Sequence, residues 1–178
     1  MGSMNYAKYS PRRKDFVFDT VFVNPFAEIL EFLDAMREAG IRPEHECFDL
    51  GHVGSLRPLI EMGRLEPPLQ IDFVMGVVGG VPPTATNVAA MAANVPDCAH
   101  HWAVVGIGRV QWQLAVAALS LGGSFRVGLE DNFYLPDGEM AKSNGDLVAA
   151  GAKLVTGSGR RLATVEEARQ RLGLPAPA

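Results

Sequence analysis

The segment Arg126-Val127-Gly128-Leu129-Glu130-Asp131-Asn132 gathers a guanidinium, a pair of carboxylates and an amide in one short stretch. A guanidinium is a rigid fork that holds a carboxylate by two hydrogen bonds, which a lysine cannot do. Arg126 and Glu130 stand four residues apart, so on an extended strand both point to the same side. Asp131 points the other way unless the chain has already turned. Two readings fit: a buried ion pair tying a strand end together, or a functional site at that strand end. Other chemistry-bearing types stand where apolar runs end: Asp49 and His52, Gly79-Gly80, and Gly106-Ile107-Gly108-Arg109. The backbone N–H of Gly108 and the side chain of Arg109 could meet an anion; the glycines would equally serve a tight turn. A dinucleotide fingerprint would need a further glycine where Gln111 stands, so a Rossmann reading is poor.

These residues need elements to position them. Pro25–Ala39 reads as a helix, with Asn24 as its cap, Pro25 in its first turn and Gly40 past its end. Glu44–Leu50 reads as a strand, followed by a helix over about Gly54–Gly63. Leu69–Met75 is a strand, Gly76–Pro83 a loop, and Thr84 or Thr86 caps a helix reaching about Val95. Trp102–Ile107 is a buried strand, Val110–Leu121 an apolar helix and Ser124–Leu129 another strand. Helices Ser143–Thr156 and Thr164–Leu172 close the chain, with Thr164 and Glu167 forming a capping box. Strands separated by single helices imply βαβ units and a parallel sheet. The apolar runs WAVVGI and FVMGVV imply strands covered on both faces. Polar residues at the ends of several strands favour a barrel, because an open sheet places its ligand mainly at one switch point.

The chain has 178 residues, 48% apolar and 20% charged, as in a water-soluble globular domain. A net charge of −4 gives no basic footprint for nucleic acid, and no run of Lys and Arg suits an anionic membrane. No segment reads as a signal peptide or a membrane span. Two cysteines, Cys47 and Cys98, make no disulfide framework, so a cytoplasmic location is expected. Only about four full strands can be counted, too few for a whole (β/α)₈ barrel of ~250 residues.

Arg126–Asn132 resembles the last strand and exit loop of the β-keto acid cleavage enzymes, the group that includes 3-keto-5-aminohexanoate cleavage enzyme. The resemblance continues, in order, through Arg42–Asp49, Phe73–Gly76, Gly79–Pro82 and Val105–Arg109. It implies an α/β fold that is the C-terminal portion, about strands 4 to 8, of a (β/α)₈ TIM barrel, over residues 1–174 with 175–178 as a tail. It also implies a zinc-dependent reaction of a β-keto acid with acetyl-CoA, giving acetoacetate and a new acyl-CoA. Glu130 is then similar to the zinc carboxylate ligand. Arg126 and Asp131 are similar to the catalytic pair that balances charge during C–C bond formation. Glu46 is similar to a carboxylate facing the substrate tail, with Glu44 two residues away on the same strand face.

The sequence departs from that family where it lacks the His-x-His pattern expected to supply two zinc ligands. His100-His101 are adjacent and precede their strand, so they fall at the wrong end, and His45 faces away from Glu44 and Glu46. Only His52 stands just past a strand end. Met1-Gly2-Ser3-Met4 could be tag residue, but with Asn5-Tyr6 it resembles the end of the family's fourth strand. On that reading the first three strands are absent and the chain is inactive alone. The alternatives are a non-catalytic half-barrel that acts by pairing with another chain, and a small α/β domain binding a phosphorylated metabolite. A barrel cut at its fourth strand would have two open edges, so a homo-oligomer is expected.

Overall fold

In the computed structural model the described residues are 1–99 and 101–175. The chain opens with β1 (Met4–Ser10) and β2 (Asp15–Phe22), an antiparallel pair. Helix α1 (Phe26–Glu38) leads to β3 (Glu44–Cys47), then the short helices α2 (Leu50–Gly54) and α3 (Leu56–Glu61). β4 (Gln70–Met75), α4 (Ala85–Ala92), β5 (His101–Gly106), α5 (Gln111–Ser120) and β6 (Ser124–Arg126) follow. Helices α6 (Asn144–Gly157) and α7 (Val165–Arg171) complete the order.

β3, β4, β5 and β6 form one sheet in sequential order, every pair parallel. Right-handed crossovers between consecutive neighbours put every connecting helix on the same face. The core shows this. Cys47, Ile71, Phe73, Met75 and Val104, all of one strand parity, pack against Ile29 and Leu33 of α1, Leu56 and Leu59 of α3, Val88 and Met91 of α4, and Leu114 and Ala118 of α5. Phe73 is fully buried and stacks on Trp102 at 5.1 Å between centroids. The opposite face carries Glu44, Glu46, Asp72, Val74, Ala103, Val105, Ser124 and Arg126. On the two central strands Val74 and Val105 of this second face are buried too, as the continuous apolar runs required.

Several expected boundaries move, each for a local reason. Asn24 does not cap α1; Pro25 occupies the cap position without a side-chain bond. The strand expected to reach Leu50 stops at Cys47, because the Asp49 carboxylate accepts from His52 N at 2.8 Å and starts α2. Thr84 caps α4, accepting from Asn87 N, and Thr164 and Glu167 form the expected capping box. Ser143 caps α6 with a second box through Asp146. The strand expected over Ser124–Leu129 ends at Arg126.

The largest departure lies at the start. Met4–Tyr6 does not lead straight into a loop before α1, because β1 and β2 form a hairpin turned by Pro11–Lys14. Gly79, at φ +104°, sits so close to Asn5 O that a Cβ there would be 1.8 Å away, so this glycine seats the hairpin's base. The Met1 ammonium donates to Glu46 O at 2.5 Å, on the edge of β3 away from β4. No helix among the described residues is long and apolar enough to cross a membrane. Phe73→Ala removes the ring on which the helical face closes and should cost about 3–5 kcal/mol. Urea unfolding followed by tryptophan fluorescence, through the stacked Trp102, measures it.

Candidate active site

The site starts where β6 stops. After Arg126 the chain turns, with Asp131 N and Asn132 N both donating to Gly128 O, at 3.1 and 3.0 Å. The turn cancels the alternation expected to set Glu130 beside Arg126. Glu130 is exposed, and Asp131 folds back instead, only 6% exposed. Its carboxylate takes both prongs of the fork, from Arg126 Nε at 3.0 Å and Nη2 at 2.9 Å. The third nitrogen, Nη1, donates to Glu46 Oε1 at 3.2 Å and lies 4.0 Å from Glu44 Oε1. The hydrogen bonds that Arg126 donates to Asp131, ahead of the opposing effect of burial, push the guanidinium further from deprotonation. Three residues expected at the site, Arg126, Asp131 and Glu46, are thus brought into one cluster.

Strand register extends the cluster across the sheet. Glu46 lies opposite Asp72, which lies opposite Ala103, and Val105 lies opposite Arg126. Asp72 is only 2% exposed and its Oδ1 has no hydrogen-bond partner among the described residues. Burial first, then the neighbouring Glu44 carboxylate, pushes its pKa up to about 8, against a smaller lowering by Arg126. Burial and the neighbouring Glu44 thus favour the protonated form of Asp72. Sequence reasoning missed this residue, although a carboxylate at the centre of the apolar run Leu69–Met75 is itself a signal.

A second network fixes the exit loop. Asn132 is buried and donates to Gln111 Oε1 at 3.3 Å and to Tyr134 O at 2.6 Å, while Tyr134 N donates back to Asn132 Oδ1 at 3.1 Å. Gln111 in turn donates to Gly106 O at 3.4 Å, and Trp112 Nε1 donates to Tyr134 O at 2.8 Å. The loop after β6 is thereby pinned to the first turn of α5. A Cβ on Gly106 would meet Gln111 Cα at 2.5 Å, so that glycine serves close packing. Gly108 N donates to Asp131 O at 2.7 Å, which engages the N–H expected to meet an anion. Arg109 lies apart from the cluster, exposed, its guanidinium carbon 3.8 Å above the Tyr134 ring.

For a metal, the described residues offer no group of three His, Cys, Asp or Glu placed to hold an ion. His52 Nδ1 accepts from Phe48 N at 3.2 Å, and its Nε2 sits 3.9 Å from Asp49 Oδ2. Its basicity is lowered, chiefly by burial. His52 is therefore engaged in the α2 cap and takes no part in the Arg126 cluster. His101 begins β5 at the end remote from Arg126, and His100 lies outside the described residues. His45 faces the helices at 2% exposure, and burial lowers its pKa to about 4. Glu130 alone does not fit a zinc ion, so zinc is assigned no step here.

A parallel α/β sheet with an ionised cluster on its helix-free face, built from residues near strand ends, marks an enzyme-type site. Residues 1–174 match the beta-keto acid cleavage enzyme family, and the chain belongs to it. It is 39% identical over 156 residues to a 3-keto-5-aminohexanoate cleavage enzyme of Fusobacterium nucleatum, covering 88% of this chain and 56% of that protein. It is 36% identical over 158 residues to a 3-dehydrocarnitine:acetyl-CoA trimethylamine transferase of Rhizobium meliloti, covering 88% and 51%. It is 38% identical over 160 residues to a 3-oxoadipate:acetyl-CoA acetyltransferase of Cupriavidus necator, covering 87% and 55%. The chain spans about half the length of these relatives.

Asp72 gives a pH test of this geometry. Its proton is held to about 8 when folded but leaves near 3.8 when unfolded. The stability this contributes is complete below the unfolded value and is lost as pH rises through the folded one. His45 acts oppositely, but only below its ordinary 6.5. Between about pH 6.5 and 8 Asp72 thus lowers the urea midpoint as pH rises, against an opposite contribution from the Met1 amino group, whose pKa burial lowers from 8.0. Asp72→Asn, which keeps a neutral polar group and leaves Met1 in place, should shift the slope of midpoint against pH upward relative to the wild type; an unchanged slope would contradict the assignment.

Proposed function

We propose that this chain is the C-terminal portion, about strands 4 to 8, of a (β/α)₈ enzyme that cleaves β-keto acids with acetyl-CoA, giving acetoacetate and a new acyl-CoA. The observation that carries the reading is the Asp131-locked Arg126 guanidinium, held at the end of β6 in a chain of this family. Sequential parallel strands with helices α1–α5 on one face are what a segment of such a barrel requires. Negative charge develops on the keto acid as its C–C bond is made and broken. Arg126, oriented in advance by Asp131, offsets that charge without reorganising. Arg109, exposed at the β5 end, suits the phosphates of CoA, with Gly108 shaping the turn that presents it.

The same cluster favours a cationic acyl tail. Glu44, Glu46 and Asp72 surround a guanidinium whose fork is already taken by Asp131. On the Glu44 and Glu46 side of the cluster an anionic tail would meet repulsion, whereas an ammonium would find two acceptor carboxylates, leaving Arg126 to offset charge at the reacting carbons. The names of two relatives carry such groups, 3-keto-5-aminohexanoate and 3-dehydrocarnitine. A 3-oxoadipate-like dicarboxylate is disfavoured by this charge balance.

Zinc enters this proposal through Glu130 only, as one ligand of a set whose other members are not among the described residues. The 178-residue chain should therefore bind zinc weakly, as read by calorimetry, and a tight site abolished by Glu130→Ala would contradict this. Alone, the chain should form no acetoacetate from acetyl-CoA and an amino-β-keto acid. Joined to the N-terminal portion of a 3-keto-5-aminohexanoate cleavage enzyme, it should. In that joined protein Arg126→Ala should lower kcat by about 10²-fold or more while leaving zinc content unchanged. The missing ligands also favour a second reading, a non-catalytic half-barrel. Failure of the joined protein to turn over any β-keto acid, while still folding, would select it.

A further inference from the structure

On the helical side of β3, at the end of the sheet remote from Arg126, lies a cleft that the chemistry above does not use. It holds about 200 Å³, below the ~300–1,000 Å³ of sites for larger ligands. Its walls come from α1, from residues 40–43 leading into β3 and from residues 64–69 leading into β4. Strand parity separates it from the Arg126 cluster, since His45 turns to this side and Glu44 and Glu46 to the other. Leu33, Leu65 and Leu69, all buried, give the cleft an apolar floor. Arg37, Arg42 and Arg64 stand around it. Arg64 is paired with Asp34 at 2.5 Å, and Arg37 donates to Gly63 O and Arg64 O at 3.1 and 3.2 Å. Arg42 is less engaged: Nη1 donates to Glu66 O at 3.3 Å, and it makes no ion pair with a carboxylate among the described residues. His45 belongs to the same wall at 2% exposure, and its Nε2 has no hydrogen-bond partner among the described residues. A buried polar atom left unpaired costs free energy that a partner restores.

We propose that this cleft is a second binding site, for a small hydroxy or oxo carboxylic acid. The carboxylate pairs with Arg42, the guanidinium with donors to spare. Arg37 and Arg64, already held, add positive field rather than bonds. The short carbon chain lies on the leucine floor, a surface of its own kind. The acid's further oxygen meets His45 Nε2, which as part of a neutral ring can donate or accept. Burial keeps that ring neutral, so it contributes a hydrogen bond and no charge. A plain fatty acid would leave this nitrogen unpaired. Inorganic phosphate would leave the leucines without a partner and bring a second negative charge toward Asp34 and Glu66, the carboxylates nearest the arginines. The site stands apart from the proposed reaction and does not rest on it.

Titration of the 178-residue chain with lactate and with 3-hydroxybutanoate, read by nitrogen–proton correlation spectra, is the test. At least one of these acids should bind with a Kd on the order of 1 mM. Resonances of residues 33–45 and 64–69 and the His45 ring nitrogens should move, while those of the Arg126 cluster stay in place. Butanoate, which lacks the further oxygen, should bind about fivefold more weakly, and neutral butanamide not at all. Ile41→Glu sets a carboxylate on the rim at a position 56% exposed, where the fold tolerates it, and should weaken binding about tenfold. Arg42→Gln should do the same, with circular dichroism checking its fold, and Arg109→Gln should change nothing. No binding of either acid, shifts centred on Arg126, or binding indifferent to both Ile41→Glu and Arg42→Gln overturns the proposal. Butanoate or inorganic phosphate binding as tightly as the hydroxy acids overturns it as well, because His45 or the leucine floor would then select nothing. None of these readouts involves catalysis, so failure here is distinct from failure of the proposed reaction.

Discussion

One guanidinium draws carboxylates from two separate parts of the chain onto a single point. Arg126 binds Asp131 from its own exit turn and Glu46 from β3, with Glu44 at the limit of ion-pair distance. Without that cation, the helix-free face of the sheet would hold three carboxyl groups in close register with nothing to offset them. Removing it would leave Asp131 as a buried, unpaired charge, a loss of several kcal/mol in comparable settings. The Arg126 guanidinium is therefore both the electrostatic centre of the site and a condition of the fold around it.

The two faces of the sheet follow from parity. Residues of one parity meet helices and are apolar; those of the other meet each other and include the ionisable ones. Two groups show how burial then sets protonation. His45, one residue from Glu44 and Glu46 but on the helical side, is driven neutral, its pKa lowered to about 4. Asp72, on the polar face but sealed within it, is driven neutral in the other direction, to about 8. The same desolvation acts on both. It favours the uncharged form in each case and so leaves Arg126 to face a patch with one fewer negative charge.

The exit loop after β6 is positioned by neutral hydrogen bonds, and these make the ionic cluster rigid. Asn132 and Gln111 tie the loop to the start of α5, and Gly108 N grips the Asp131 carbonyl. The carboxylate of Asp131 is then presented to Arg126 by a backbone that has no other route. The hairpin contrasts with this. Its order comes from its own cross-strand aromatic pairs, and its surface remains open in a single copy.

The sequence by itself determined the α/β alternation, the capping box at Thr164, the outward facing of His45 and the family, because each depends on local propensity, strand parity or an ordered set of short motifs. It marked Arg126, Asp131 and Glu46 as site residues, and the structure brings those three together. It did not reveal the hairpin, since Met4–Ser10 carries Lys8 and Asn5 among its apolar residues and reads as weak strand until paired with Asp15–Phe22. It also carried the alternation one turn too far, to Glu130. Where a strand stops is decided by the bonds that replace the ladder, here from Asp131 and Asn132 to Gly128, and those exist only once the loop is pinned against α5. Asp72 shows the same limit: its type was visible, but its raised pKa depends on burial and then on Glu44, brought from 28 positions earlier in the chain by sheet register. Parity and capping are properties of neighbours in sequence; protonation and turn placement are properties of neighbours in space.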